Sequence, residues 1–385
     1  MHICELPECH PRIWFFVSVQ VPLSLPETYF AQSATCKILT CYLENNQTKP
    51  NQTKQKKPPK TKTKTKKPSH LSGTAVSLNL NSFIGLVETM GRDNDSYQQA
   101  FILLGFSDQM TLFVIIVLFY LLTLLGNMAI IVLAHLDPRL HTPMYFFLIH
   151  LSLMDLCYTT STVPQLLFNL QGPEKTISYG GCVGQLYVSL AMGSTECILL
   201  AVMAVDRYVA VCWPLHYTVL MHPRVCRQLA ATTWLTGLAS SLVQTMLITQ
   251  VPLCGRNVID HVFCEVPVLL KLACVDTTFN QMELFLVSAL LLLVPLTLIL
   301  ISYSCIAQAV WKMKSHEGRQ KALGTCSSHL VVVFLFYGTA MATYLQPTAA
   351  TFQNREKFMA LLYGIVTPTL NPFIYTLRNK DMKGR

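Results

Sequence analysis

The stretch from Leu112 to Leu133, LFVIIVLFYLLTLLGNMAIIVL, decides the fold. None of its 22 residues is Asp, Glu, Lys or Arg. A helix of about 20 apolar residues is long enough to cross the ~30 Å hydrocarbon layer of a bilayer. Six comparable blocks follow, from Pro143 to Val163, Leu186 to Val211, Leu229 to Val251, Leu284 to Ala307, Ser328 to Leu345 and Phe358 to Leu377. Seven blocks predict an all-α membrane protein, a bundle of seven transmembrane helices. The second and seventh blocks are the least purely apolar, and they carry Asp155 and Asn371.

The composition agrees, with 52% apolar and 13% charged residues, against ~25% charged in soluble domains. The net charge of +9 is not spread evenly. Residues 1–89 hold eleven Lys or Arg and five acids, so six of the nine excess charges lie there. The remainder has no basic face suited to nucleic acid. Within 1–89, Asn45 to Lys67 is a tract of Lys, Thr, Gln and Pro that cannot bury a core. The apolar run from Ile13 to Leu23 imitates a signal peptide but lacks a clear cleavage site. The chain therefore divides into an atypical, disordered extension over 1–89 and a membrane domain over 90–385. Met90 is the expected working start.

Lys and Arg in the short connections orient the bundle. With the N-terminus outside, six face out (Arg92, Lys175, Arg256, Lys271, Arg355, Lys357). Twelve face in: Arg139, Arg207, Arg224, Arg227, Lys312, Lys314, Arg319, Lys321, Arg378, Lys380, Lys383 and Arg385. This orientation also puts Cys182, Cys254, Cys264 and Cys274 on the oxidising side, where disulfides form. Asn94-Asp95-Ser96 is an N-glycosylation sequon on that side, and Asn46 and Asn51 begin two more within the extension.

Polar groups at membrane depth are the functional candidates, because each is costly unless it is paired or faces water. Asp155 and Glu196 suggest a hydrated site for a monovalent cation such as sodium, completed by Asn371 or by hydroxyls such as Ser152. The alternative is protonation with local hydrogen bonding. Ser189, Gly193 and Glu196 share one helical face, as do Tyr337, Met341 and Tyr344, and also Leu284, Val287, Ser288 and Leu291. Three such faces could line an apolar pocket with a few hydroxyls, although simple helix packing explains the same spacing. Ser189, Ser194, Tyr337 and Tyr344 bring no charge, so neutral or weakly polar ligands are expected.

At the inner end of the third block, Asp206-Arg207-Tyr208 sets an acid beside an arginine, a pair that a conformational change can open. Near the chain end, PTLNPFIY (Pro368 to Tyr375) puts two prolines in one span. Each frees a backbone carbonyl, which Asn371 could satisfy unless it reaches Asp155 instead. No phosphate-binding loop, HExxH or GxSxG is present, so no enzyme is indicated. His261, Cys264 and Glu265 are metal-type ligands, but Cys264 has more use as a disulfide partner, and no metal site is expected.

Together these motifs resemble the olfactory receptors, a family of rhodopsin-like G-protein-coupled receptors, over residues 90–385. LHTPMYFFL (Leu140 to Leu148), MAVDRYVAVC (Met203 to Cys212), Ser302-Tyr303, KALGTCSSH (Lys321 to His329) and Pro368 to Tyr375 carry the resemblance, in order and at the expected spans. The finer pattern is similar to olfactory receptor family 2. The resemblance implies disulfides Cys182–Cys264 and Cys254–Cys274, and a cytoplasmic switch of Arg207, Tyr303 and His329 beside Asp206 and Tyr208. It implies a cation site at Asp155 and Glu196. It implies an odorant pocket among Ser189, Leu190, Gly193, Ser194, Val287, Tyr337, Met341 and Tyr344, with the stimulatory olfactory G protein as partner, raising cyclic AMP. The plasma membrane, in olfactory cilia, is the implied location.

Three features depart from the family pattern. Val205 replaces the usual aromatic residue, the tail ending at Arg385 is short, and residues 1–89 have no counterpart, so the lysine-rich leader is expected to hinder surface delivery. Two other readings stay open at this point: a receptor of the same fold for a non-volatile metabolite, and a transporter or channel using the two acids.

Overall fold

A computed structural model describes residues 100–103, 105, 110–172, 175–345 and 353–378. The extension over 1–89 and Asn94 lie outside the described residues. Seven long helices are present among those described. They are α1 (Met110–Leu136), α2 (Pro143–Gln171), α3 (Tyr179–Cys212), α4 (Pro223–Thr249), α5 (Thr278–Lys312) and α6 (His316–Tyr344). The seventh, α7, runs through Gln353–Leu361, a π-helical turn at Leu362–Val366, and Thr367–Arg378. Each apolar block falls within one helix or overruns it by a residue or two. Several helices continue past their blocks into polar sequence, where Ser178 and Ser315 cap α3 and α6 by accepting the amides of Gly181 and Gly318.

Among the described residues, six helices are long and apolar enough to cross a membrane. The arrangement reverses that of a soluble bundle. On α1, Thr123 and Asn127 are fully buried while Leu121, Leu122 and Leu125 face outward. In hydrocarbon, Leu gains little by hiding, and polar groups must find partners inside. The largest core joins α2, α3, α4 and α6 through residues such as Phe147, Met154, Leu199, Leu200, Trp234 and Val332.

Helix α4 is the exception to the apolar rule, and its polar residues explain why it still belongs to the bundle. Trp234 donates its indole N–H to His150 Nδ1 of α2 at 3.0 Å. Ser241 donates to the Tyr187 carbonyl of α3 at 2.6 Å. Between them lies Gly237, where an added methyl would sit 2.9 Å from the Thr195 backbone nitrogen and 3.0 Å from the Ala191 carbonyl oxygen. Helices α3 and α4 therefore pack as closely as a glycine allows.

The proline-rich end of α7 shows the same logic. Pro372 has no N–H to offer the Pro368 carbonyl four residues back. Asn127 of α1 takes its place, donating Nδ2 to that carbonyl at 3.2 Å. Asn371 is thereby left free to face α2. One turn outward, the hydroxyls of Thr123 and Thr369 meet at 2.7 Å. A methyl on Gly126 would lie 3.0 Å from the Pro372 ring, so the α1–α7 seam is also glycine-tight.

Outside the bundle, β1 (Phe101–Leu103) lies between β2 (Thr176–Ile177) and β3 (Val258–Ile259). It runs antiparallel to β2, with Phe101 opposite Ile177, and parallel to β3, with Ile102 opposite Val258. The sheet fastens the segment before α1 to the first and second outer loops.

The α3–α4 approach yields a test. Gly237→Ala should overpack the seam at a cost of ~1–3 kcal/mol and cut the folded, surface-delivered fraction severalfold. Gly338→Ala meets no atom within 4 Å and should leave it unchanged. Flow cytometry of surface-stained cells, normalised to total protein, measures both.

Candidate functional site

Three polar centres occupy successive depths of the bundle. At the inner edge, Asp206 ion-pairs with its neighbour Arg207. The other Asp206 oxygen accepts the Tyr217 hydroxyl at 2.8 Å. Tyr217 opens a one-turn helix, Tyr217–Leu220, in the second inner loop, and sequence reasoning missed it. Across the gap, Tyr303 of α5 and His329 of α6 share a 2.9 Å hydrogen bond, with their rings stacked at 5.8 Å. Arg207 lies within electrostatic reach of both. Tyr208 points to the flank, accepting the Trp213 indole N–H at 3.1 Å and packing near Ile306, Val310 and Cys326. The arginine is thus paired with Asp206 on α3, which the inner loop holds through Tyr217.

At mid-depth, Asn371 donates to both oxygens of Asp155, at 3.0 and 3.2 Å. Glu196 of α3 is close enough to interact with Asp155 and Asn371. Three buried oxygens here have no hydrogen-bond partner: Glu196 Oε1, Asn371 Oδ1 and Ser152 Oγ. Such an orphaned set is costly unless something positive sits among it. The donor chemistry, all oxygen and rich in carboxylate, fits a hard monovalent cation.

Towards the outside, Ser189 lies near the Tyr158 hydroxyl of α2, so the Ser189–Gly193–Glu196 face of α3 looks at α2 and α7. A Cβ built on Gly193 meets nothing within 4 Å. Open space therefore lies inside the bundle, beside the predicted face. Met341 and Tyr344 of α6 are half-buried against the main core, as is Tyr158. Leu190 packs toward Leu284 of α5, and Val287 is half-buried one turn further along α5. Ser194 is half-buried on the flank next to Gly193. Tyr337 differs from the expectation: it is 2% exposed, and its hydroxyl donates to the Cys197 carbonyl at 2.8 Å. It ties α6 to α3 beneath the space instead of offering a free hydroxyl.

The roof is the second outer loop. Cys182 at the head of α3 is bonded to Cys264, and Cys254 to Cys274. The Cys264 amide donates to Gln185 of α3 at 2.8 Å, pressing the loop inward. Next in the chain is Glu265, 5% exposed, which accepts the hydroxyl of Tyr363 on the π turn. Tyr158 and Tyr344 also lie within reach of its charge. Burial, with Glu356 nearby, pushes the Glu265 carboxyl up to about 8. His261 is likewise buried, and burial pushes its imidazole down to about 4. It contacts the Phe263 backbone, and its neighbour Cys264 is a disulfide sulfur, which makes a poor metal ligand. Lys357 of α7 is drawn to Asp260 and to the Gly105 carbonyl, pinning the loop's edge.

A seven-helix membrane bundle with an Asp206–Arg207 pair at the inner end of α3 and a disulfide-braced loop over its outer end has the form of a rhodopsin-like receptor. Residues 116–385 match the olfactory receptor family. The chain is 62% identical to human olfactory receptor 2G3 over 298 residues, covering 76% of this chain and 96% of that one. It is 60% identical to human olfactory receptor 2G6 over 299 residues (77% and 95%) and 57% identical to mouse olfactory receptor 2B6 over 294 (75% and 94%). The chain belongs to the olfactory receptor family. It is a multi-pass membrane protein, an odorant receptor that couples to a G protein, and it resembles the family's second group.

Tyr217 gives the switch a direct test. Its hydrogen bond to a charged acid contributes ~1.5–3 kcal/mol to the closed state. Tyr217→Phe should raise ligand-independent signalling by about tenfold or more, the population shift that such a loss permits. Basal cyclic AMP, normalised to surface receptor, is the readout. An unchanged baseline would remove Tyr217 from the switch.

Proposed function

We propose that this receptor binds small, mostly apolar volatile molecules in the space beside Gly193 and signals through the stimulatory olfactory G protein, raising cyclic AMP. The observation that supports this most is the open space that a side chain at Gly193 would enter, on the α3 face that also carries Ser189 and Glu196. A ligand that fits better when α3, α5, α6 and α7 rearrange shifts a two-state equilibrium, by no more than its differential affinity. Opening then separates Arg207 from Asp206 and exposes a cleft among Arg207, Tyr303 and His329. The function needs no chemical step, consistent with a family of receptors and not of enzymes.

Asp155, Glu196 and Asn371, with Ser152, would hold a sodium ion in the resting state, supplying positive charge to the orphaned oxygens. Asn94 is the proposed glycosylation site, and olfactory cilia the proposed location.

The test is cyclic AMP in cells expressing the receptor with the olfactory G protein, challenged with a panel of volatiles. Arg207→Ala should abolish the response at unchanged surface level. Tyr344→Ala should shift the half-maximal concentration upward by about tenfold, the equivalent of ~1.4 kcal/mol. A response indifferent to both would defeat the reading. For the cation, replacing external sodium with choline should raise agonist potency in the unmutated receptor and leave Asp155→Asn unmoved. Equal sodium sensitivity in the two would exclude the mid-depth site.

A further inference from the structure

Glu265 is an acid in a place where the sequence promised only hydroxyls. It directly follows the disulfide-bonded Cys264, is almost wholly buried, and hydrogen-bonds Tyr363 of α7. Tyr158 of α2 and Tyr344 of α6 lie within electrostatic reach of it, and Tyr158 lies near Ser189 of the pocket face. The Tyr158 and Tyr363 rings meet edge to face at 6.5 Å. Gly364, beside Tyr363, lets Phe263 and the Tyr158 hydroxyl approach to 2.9 and 3.2 Å of where a side chain would begin. Three tyrosines from three helices thus converge on one carboxyl.

Among the described side chains, none is a counterion to this carboxyl. Lys357 is engaged by Asp260 and the Gly105 carbonyl, and Lys271 is bonded to Glu356 at 2.9 Å. The described charge that bears on Glu265 is Glu356, of the same sign. A buried acid lacking a cation, walled by electron-rich rings, has the two features by which proteins recognise organic ammonium groups.

We propose that the outer end of the pocket is an ammonium subsite, in which Glu265 pairs with the charged head of a small aliphatic amine and Tyr158, Tyr344 and Tyr363 wall it, while the alkyl tail lies toward Gly193. This deepens the odorant reading and rests on it for the location of the pocket. It also replaces the expectation of neutral ligands, which followed from the hydroxyls alone.

The pairing requires the ionised carboxyl, so binding is linked to loss of the Glu265 proton. Its carboxyl, pushed up to about 8, must shed that proton below pH 8. An alkylamine stays protonated throughout this range, its ordinary value lying near that of lysine, ~10.4. Apparent affinity should therefore rise roughly tenfold per pH unit up to about 8 and then level off. Among the described side chains, Glu356 and Lys271, paired with each other, and Asp260 and Lys357, likewise paired, lie on the surrounding loop and the outer end of α7, and the loop's Arg256 and Asp276 are exposed. His261, pushed down to about 4, does not titrate in this window.

The experiment measures thermal melting of the purified full-length receptor in detergent with n-hexylamine or 1-hexanol at pH 6, 7, 8 and 9. Hexylamine should stabilise the receptor at concentrations that fall with pH as above, while hexanol acts independently of pH. Glu265→Gln keeps the shape and the Tyr363 contact. It should raise the half-maximal hexylamine concentration at pH 8 by on the order of 30-fold or more and flatten the pH profile. Unliganded melting curves check that it folds, and the pH profile of the unmutated receptor stands without it. Equal, pH-independent stabilisation by amine and alcohol overturns the subsite, as does an undiminished amine effect in Glu265→Gln, or no amine effect at all. Cyclic AMP in parallel separates the two levels. Responses to neutral volatiles without amine binding sink only the subsite. Amine binding without any cyclic AMP response keeps the subsite and sinks the signalling reading.

Discussion

A peptide carbonyl released by proline cannot be left alone in hydrocarbon, and the arrangement of this receptor turns on how one such group is satisfied. Pro372 frees the carbonyl of Pro368, and Asn127 of α1 supplies the missing donor. That bond requires α1 and α7 to come close, which Gly126 permits by presenting no side chain to the Pro372 ring. Because Asn127 does this work, Asn371 can turn to Asp155 and join α7 to α2. The π turn further out carries Tyr363 to the roof. One satisfied carbonyl thereby fixes the seam between the first and last helices and the heading of every functional side chain on α7.

Three acids or acid pairs mark the membrane axis, and each meets the cost of burial differently. Asp206 is matched by the adjacent arginine and a tyrosine, a closed and reversible pairing. Asp155 and Glu196 have an amide between them and orphaned oxygens around them, an arrangement that invites an ion from water. Glu265 has only tyrosine hydroxyls and a neighbouring like charge, so burial keeps it protonated at neutral pH. The gradient from unmatched, to half-matched, to matched charge follows the direction of signalling from outside to inside.

Much of this was readable before any coordinates. The seven apolar blocks located the helices because length and lack of charge are sufficient in a bilayer. Asp155 and Asn371 declared each other because polar groups at that depth must pair. The ends of the helices were not readable, since polar segments such as His316 to Ser327 are helical in water, where hydropathy carries no signal. The outer sheet was hidden because strands of two and three residues show no alternation. Tyr217 was missed, and Glu265 was weighed only as a metal-type ligand, for a shared reason. Both lie in loops, and their places depend on the path of the connection and, for Glu265, on the Cys182–Cys264 bond. Tyr158 was not singled out. Tyr337 was placed in the pocket by its spacing and by the resemblance, but its hydroxyl donates to a backbone carbonyl that no helical wheel displays.

The π turn at Leu362–Val366 has a consequence for how the two ends of α7 are phased. Its Thr367 amide reaches back five residues to Leu362 instead of four, so the helix holds one more residue there than a regular coil would. The surplus residue is absorbed within the turn, so Tyr363 at the roof and Asn371 at mid-depth keep the mutual heading that a regular helix would give them with one residue fewer. Rewinding the same residues as a regular α-helix would swing one end by about 100° relative to the other, the angle per residue of an α-helix. Either the tyrosine would then leave the loop or the asparagine would leave Asp155. The receptor's outer and middle centres are kept in step by the turn itself.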